Sequence, residues 1–165
     1  AKTFPKDTAT MFALADVYAD AGRVPDAERL LRQLLAAEPG NANVLNYLGY
    51  LLAVRGEQLD EAVRLVRRAL DVDPDNGAYL DSLGWAHFRK GDLDEAEKYL
   101  AAAAAKLPEN SEVQDHLGDL HMRKGRVADA IAAWTRALQG DGQDVEKAAI
   151  EKKISSAKGK MPNSK

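Results

Sequence analysis

The sequence repeats itself with a period of about 34 residues, and this period constrains the fold more than any other feature. A leucine followed by glycine or alanine recurs with spacings of 34, 35 and 34 residues. The pairs are Leu14-Ala15, Leu48-Gly49, Leu83-Gly84 and Leu117-Gly118. A fixed period of this length is typical of a solenoid, in which each unit buries its apolar face against its neighbours. The chain is therefore expected to be an array of similar units, and such arrays present long surfaces to partners.

Each unit contains two apolar stripes at helical spacing, separated by a turn that contains glycine. Residues that commonly cap helices precede the first stripe of each unit, namely Asp7-Thr8, Asn41-Ala42, Asn76-Gly77 and Asn110-Ser111. Pro39, Pro74 and Pro108 lie shortly before three of these caps, where they cannot extend the preceding helix. The sequence thus predicts an all-α fold with helices at 8–21, 25–37, 42–55, 59–72, 77–90, 93–106, 111–124, 127–139 and 144–158.

The repeated unit resembles the tetratricopeptide repeat (TPR), whose pattern is W-x2-L-G-x2-Y…A-x3-F…P. The third unit shows the match in Leu80, Leu83, Gly84 and His87, followed by Ala96, Leu100 and Pro108. The resemblance covers roughly residues 5–144 and four consecutive units in register. It implies an α-solenoid in which antiparallel helix pairs form a right-handed superhelix.

The period divides the chain into four repeats with different ends. We expect repeats at 8–41, 42–76, 77–110 and 111–144, with Gln58 as a one-residue insertion that explains the single spacing of 35. Residues 1–7 resemble the end of a preceding repeat, so the chain is expected to be the C-terminal part of a longer array. Residues 145–157, with Asp144 as the cap, are expected to form a capping helix that covers Trp134 and Leu138. Residues 158–165 lack an apolar period and are expected to be disordered.

Composition limits the class of partner. The net charge is −3, but residues 145–165 hold six Lys and two Glu, so residues 1–144 carry a net charge of about −7. Such an acidic array argues against nucleic acid, whose phosphates would be repelled. The absence of cysteine excludes disulfides and thiolate metal sites, and no apolar run approaches the roughly 18 residues needed to insert this segment in a membrane.

The titratable residues include three histidines and a cluster of carboxylates near one of them. His87 and His121 occupy the tyrosine position of the repeat and are interpreted as packing residues. His116 lies near Glu112, Asp115 and Asp119, where a solvated acidic face is the favoured interpretation and a weak cation site the alternative. The sequence contains no phosphate-binding loop, zinc spacing or activated nucleophile. We therefore expect no enzymatic activity, no cofactor and no metal.

The TPR resemblance implies that partners bind a concave groove lined by the first helix of each repeat. The groove residues predicted on this basis are Asn43, Asn46, Tyr50, Asp81, Trp85, Phe88, Arg89, Asp115, Asp119 and Met122. Trp85 is interpreted as a ligand platform, with packing against a neighbouring helix as the alternative. The cationic clamp of chaperone-type arrays is missing, because acidic residues stand in its place. A protein or peptide partner with apolar anchors and some positive charge is therefore expected.

A narrower resemblance concerns the third and fourth units. The segment from Tyr79 to Arg89 and the run from Ala133 to Leu138 look like the C-terminal end of bacterial envelope TPR proteins. Several of those are outer-membrane lipoproteins, and one group delivers substrates to processing proteases. The resemblance implies a periplasmic or outer-membrane-anchored parent, with the cytoplasm as the alternative.

The favoured function is a protein-interaction scaffold or adaptor. The alternatives are the repeat region of a larger enzyme, such as a glycosyltransferase, and an array that self-associates through its first repeat.

Overall fold

The computed structural model describes residues 7–142 and 145–159. Within these ranges the chain forms nine α-helices and no β-strand. The helices are α1 (Thr8–Asp20), α2 (Val24–Ala37), α3 (Ala42–Arg55), α4 (Leu59–Val72), α5 (Gly77–Lys90), α6 (Leu93–Lys106), α7 (Ser111–Arg123), α8 (Val127–Gln139) and α9 (Lys147–Lys158). The all-α prediction is confirmed, and each predicted helix end lies within three residues of the observed one.

The predicted N-caps explain why α1, α3, α5 and α7 begin where they do. The side chains of Asp7, Asn41 and Asn110 each accept a hydrogen bond from the backbone N–H three residues later. Asn76 accepts two such bonds, from Ala78 and Tyr79. These bonds satisfy backbone donors that have no partner inside the helix. The four helix starts are therefore fixed by local chemistry.

The chain divides into two compact units, Ala1–Pro74 and Asp75–Lys165. In the first unit, α1 packs on α2, α3 packs on α4, and α2 contacts α3. In the second unit, α5 packs on α6, α7 packs on α8, α6 contacts α7, and α9 packs on α8. Both units bury leucine, valine and alanine side chains between their helices.

Close approach of paired helices requires glycine at the repeated Leu-Gly positions. A Cβ atom built on Gly84 would lie 2.9 Å from the backbone nitrogen of Leu100. A Cβ on Gly118 would lie 2.4 Å from Cδ1 of Trp134. Distances this short are repulsive, so an alanine at either position would push the second helix away from the first.

The insertion at Gln58 has a visible structural effect. Gln58 immediately precedes α4 and adopts a left-handed backbone conformation, with φ of 48°. The extra residue is thus absorbed in the turn between α3 and α4, and the helices themselves keep their length.

The last helix covers the end of the second unit. Ile150 and Ala157 of α9 are buried in a cluster with Trp134 of α8, and Leu138 packs against the same cluster. The capping role expected for residues 145–157 stays a prediction. The expected cap Asp144 lies outside the described residues. None of the described helices is long and apolar enough to cross a membrane.

Candidate functional site

A stack of aromatic rings joins α5 to α7 in the second unit. The ring of Trp85 lies parallel to that of Phe88, with centroids 4.8 Å apart, and parallel to that of His116, with centroids 4.0 Å apart. Trp85 is half-buried, and its indole Nε1 is enclosed without a hydrogen-bond acceptor among the described residues. These contacts fit the packing interpretation of Trp85 better than that of an open ligand platform.

A buried ion pair lies beside this stack. The Nδ1 atom of His116 lies 2.9 Å from one carboxylate oxygen of Asp81 and 3.1 Å from the other, and both residues are buried. Burial by itself would lower the pKa of His116, but the charge of Asp81 and the hydrogen bond to it outweigh burial and raise that pKa. His116 of α7 and Asp81 of α5 therefore stabilise each other where these two helices meet. The expectation that His116 belongs to a solvated acidic face is wrong.

Two of the three carboxylates of the predicted acidic face, Asp115 and Asp119, share one partner. Lys153 of α9 donates hydrogen bonds to Asp115 at 2.8 Å and to Asp119 at 2.9 Å. Asp119 also accepts a bond of 3.1 Å from the indole Nε1 of Trp134. Asp115 and Asp119 are therefore bonded to the chain's own last helix and do not form an open, solvated surface.

The pKa values of Asp119 and Lys153 are both shifted in this cluster. Burial raises the pKa of Asp119, and the hydrogen bond from Lys153 opposes this rise only in part. For Lys153, burial would lower the pKa, but hydrogen bonds to Asp115 and Asp119 outweigh burial and raise it. The ammonium is thus held in its charged form where α9 faces α7.

A cleft lies between α7 and α9, and we call it the α7–α9 cleft. Its volume is about 730 Å³. The apolar lining residues are Phe88, Met122, Trp134, Ala149 and Ala157, and the polar ones are Asp119, Arg123, Lys152, Lys153 and Ser156. The small residues of α9 leave space beside the larger side chains of α5, α7 and α8. The cleft therefore has an apolar floor and a polar, mostly cationic rim.

Two cations of the cleft lie near aromatic rings. The guanidinium of Arg123 lies 5.5 Å from the centroid of Phe88, and the ammonium of Lys153 lies 5.8 Å from that of Trp134. Both separations are within the range of cation–π attraction. Arg123 and Lys152 are exposed to solvent, whereas Lys153 is half-buried.

The predicted groove residues do not share one environment. Asp119, Met122 and Phe88 line the cleft, whereas Asp81 and Trp85 belong to the buried pair and the aromatic stack. The other predicted groove residues are Asp115, bonded to Lys153; Arg89, exposed at the end of α5; and Asn43, Asn46 and Tyr50, which lie on α3 of the first unit.

The α9 side of the cleft was missed by the sequence prediction. The predicted groove residues include none from α9, yet Lys152 and Lys153 both line the cleft. One feature of the sequence does point to Lys153. It lies 34 residues after Asp119, which is one repeat period, and residues one period apart occupy equivalent positions on successive first helices.

The two other histidines are packing residues, as predicted. His87 is buried, stacks on Tyr99 and lies 3.3 Å from a carboxylate oxygen of Asp92. His121 is half-buried, and burial lowers its pKa. Among the described residues, no three His, Asp or Glu side chains are grouped so as to hold a metal ion.

The helix pairs, the Leu-Gly contacts and the cleft define a repeat protein built from helical hairpins. A family model described as Tetratricopeptide repeat matches residues 12–76, 51–111 and 82–145. The chain therefore belongs to the tetratricopeptide repeat family.

Known proteins with similar sequences or folds are themselves TPR proteins or share this architecture. A TPR repeat-containing protein from Pseudomonas aeruginosa is 38% identical over 92 residues, which is 56% of this chain and 16% of the relative. The chain thus matches only about a sixth of that relative's length. A TPR protein of Thermus thermophilus has a TM-score of 0.77 at 24% identity, over 93% of this chain and 82% of that chain. PilW, a type IV pilus biogenesis factor, has a TM-score of 0.76 at 22% identity, over 94% of this chain and 72% of that chain. At these identities the two structures show the fold alone.

Proposed function

We propose that this chain is a protein-interaction scaffold that holds a segment of another protein in the α7–α9 cleft. The observation that carries this proposal is the cleft itself, in which the accessible apolar residues Met122 and Ala149 lie beside a charged rim. Its volume of about 730 Å³ falls within the usual range for ligand sites, about 300–1,000 Å³.

The residues of the cleft suit a side chain better than a reaction. Met122 offers a flexible apolar surface, and the edge of the largely buried Phe88 ring offers a rigid one. The half-buried titratable groups, Asp119 and Lys153, are bonded to each other. Because the cleft walls are helices whose backbone groups are internally bonded, recognition has to come from side chains. Membership in the TPR family supports the same interpretation.

The experiment is a selection of peptides on the intact chain. A random 12-residue peptide library would be selected on the wild type and on Ala149→Trp, in which an indole fills the cleft from α9. Ala148→Trp is the matched control, because Ala148 is exposed on the same helix and does not line the cleft. Helix content and melting temperature of each variant would be checked by circular dichroism.

We expect peptides selected on the wild type to bind Ala148→Trp with unchanged affinity. Binding to Ala149→Trp should be at least tenfold weaker, since a filled cleft excludes the anchor residue. If the wild type enriches no peptide, or if Ala149→Trp binds every selected peptide as well as the control does, the proposed site is wrong.

A further inference from the structure

The acidic side chains on this surface already have cationic partners within the chain. Asp81 is paired with His116, and Asp115 and Asp119 share the ammonium of Lys153. An incoming lysine or arginine would have to displace one of these internal cations, and each is held by at least two short contacts. A basic partner would therefore gain little from these carboxylates, because breaking a buried pair leaves an uncompensated charge.

Two cations of the cleft rim, unlike these carboxylates, have no partner of opposite charge among the described residues. Arg123 and Lys152 are exposed, line the cleft from α7 and α9, and have no carboxylate partner within residues 7–142 and 145–159. Together with Lys153 they provide three cations, against two carboxylates, those of Asp119 in the cleft and Asp115 beside it. The local charge is thus positive, although the chain as a whole is acidic.

Charge and shape together define a partner. We infer that the α7–α9 cleft binds an acidic peptide segment in which an apolar anchor residue is flanked by Asp or Glu side chains. This inference rests on the proposed function. The anchor lies on Phe88 and Met122, and the flanking carboxylates meet Arg123 and Lys152. The sign of the partner's charge is opposite to that expected from the sequence, which treated Asp81, Asp115 and Asp119 as open to a ligand.

The test compares three synthetic peptide pools that differ only in charge. Each pool has a central Leu or Phe, two random residues at either end, and Glu, Gln or Lys on both sides of the centre. Affinities for the intact chain would be measured by isothermal titration calorimetry at low salt. We expect the Glu pool to bind at least tenfold more tightly than the Lys pool, with the Gln pool between them, because the rim charges select the partner's sign.

Charge reversal of the rim identifies the residues responsible. In the double variant Arg123→Glu/Lys152→Glu, the order of the Glu and Lys pools should invert. Lys147→Glu is the matched control, because Lys147 is exposed on α9 and lies outside the cleft lining, and it should keep the wild-type order. Raising the salt to about 0.5 M should weaken binding of the Glu pool, since exposed charges are then screened beyond about 4 Å.

The outcomes separate this inference from the proposed function. If all three pools bind equally and Ala149→Trp abolishes binding, the cleft is a binding site but the inferred charge preference is wrong. If the Lys pool binds best, the inference is overturned and the carboxylates are available after all. If no pool binds, both the inference and the proposed site fail.

Discussion

Asp81 and His116 show how a repeat position can serve the fold instead of a ligand. Both residues lie on first helices of the repeats, where the family's groove is expected, yet both are buried, and the ring of His116 stacks on that of Trp85. A carboxylate enclosed in this way is tolerated because the histidine beside it carries the opposite charge. The pair therefore holds α5 and α7 together as long as His116 is protonated.

This pairing makes the stability of the protein depend on pH. The pKa of folded His116 is raised above its ordinary value of 6.5, so its stabilising contribution is complete below pH 6.5 and is lost as pH rises through the folded pKa. We expect the free energy of unfolding of the wild type, measured by urea titration, to fall across that range. In His116→Gln the free energy of unfolding should no longer show the decrease that is caused by deprotonation of His116.

His121 provides a control, because its pKa is shifted in the opposite direction to that of His116. Burial lowers its pKa, so it favours the folded state when neutral and opposes folding as pH falls. Replacing it in His121→Gln should leave the loss of stability above pH 6.5 in place. A wild-type and a His116→Gln profile that run parallel would contradict the assigned role of His116.

Trp85 carries a second prediction at this scale. Trp85→Ala removes the ring that covers both Phe88 and His116, and it should lower the free energy of unfolding by about 2–4 kcal/mol, less than for a fully buried tryptophan. Binding to the Glu pool should change by less than about threefold, because Trp85 does not line the cleft. Trp85→Phe, which keeps a ring in the stack, should recover most of the stability. A stable Trp85→Ala that no longer binds would restore the interpretation of Trp85 as a ligand platform.

Among the elements, α9 joins the end of the array to the binding surface. Its apolar face covers α8 through Ile150, and its Lys153 reaches the carboxylates of α7. Because the same helix also provides Lys152 and Ala149, it forms one wall of the cleft. The helix is therefore both a cap for the core and a part of the site.

Removing the ammonium of Lys153 should loosen this helix. Lys153→Met leaves Asp115 and Asp119 half-buried without a cation, at an expected cost of about 1–3 kcal/mol after allowing for their partial exposure. Hydrogen exchange should show faster exchange in α9 than in α5. The triple variant Asp115→Asn/Asp119→Asn/Lys153→Met should recover most of the loss. If Lys153→Met alone exchanges like the wild type, the ion pair does not hold α9.

The elements could be predicted from sequence because their signals are local. The N-caps at Asn41, Asn76 and Asn110 act on backbone groups three residues away or fewer, and they appear in the structure as predicted. The site could not be predicted in this way. Whether Asp119 faces a ligand or Lys153 depends on the register between helices 34 residues apart, and on which face of α9 turns inward. Charge counting along one helix cannot show that its carboxylates are already paired.

At the scale of the whole molecule, the binding chemistry lies within one compact unit. Every residue that lines the α7–α9 cleft lies within the unit Asp75–Lys165, as do Trp85 and the buried pair. The first unit, Ala1–Pro74, contains Asn43, Asn46 and Tyr50. The predicted groove residues are thus divided between two units, and the cleft belongs to the second alone.

A fragment that starts at Asp75 tests this division. We expect residues 75–165 to remain helical by circular dichroism and to bind the Glu pool with the affinity of the intact chain, because the fragment keeps every cleft residue. Its melting temperature should be lower, since a shorter array contains fewer repeats that can stack on one another. A helical fragment that has lost binding would show that residues of the first unit contribute to the site.

The two tryptophans of the chain allow protonation of His116 and occupancy of the cleft to be followed by fluorescence. An imidazolium in contact with an excited indole accepts an electron from it and quenches its emission, so Trp85 reports the proton on its stacked neighbour His116. Trp134 lies in the floor of the cleft with its Nε1 bonded to Asp119, so its emission wavelength follows the polarity that an occupant imposes. Since the sequence contains only these two indoles, replacing one with phenylalanine leaves the other as a single reporter. Protonation and occupancy are thereby recorded at separate positions in an unlabelled protein.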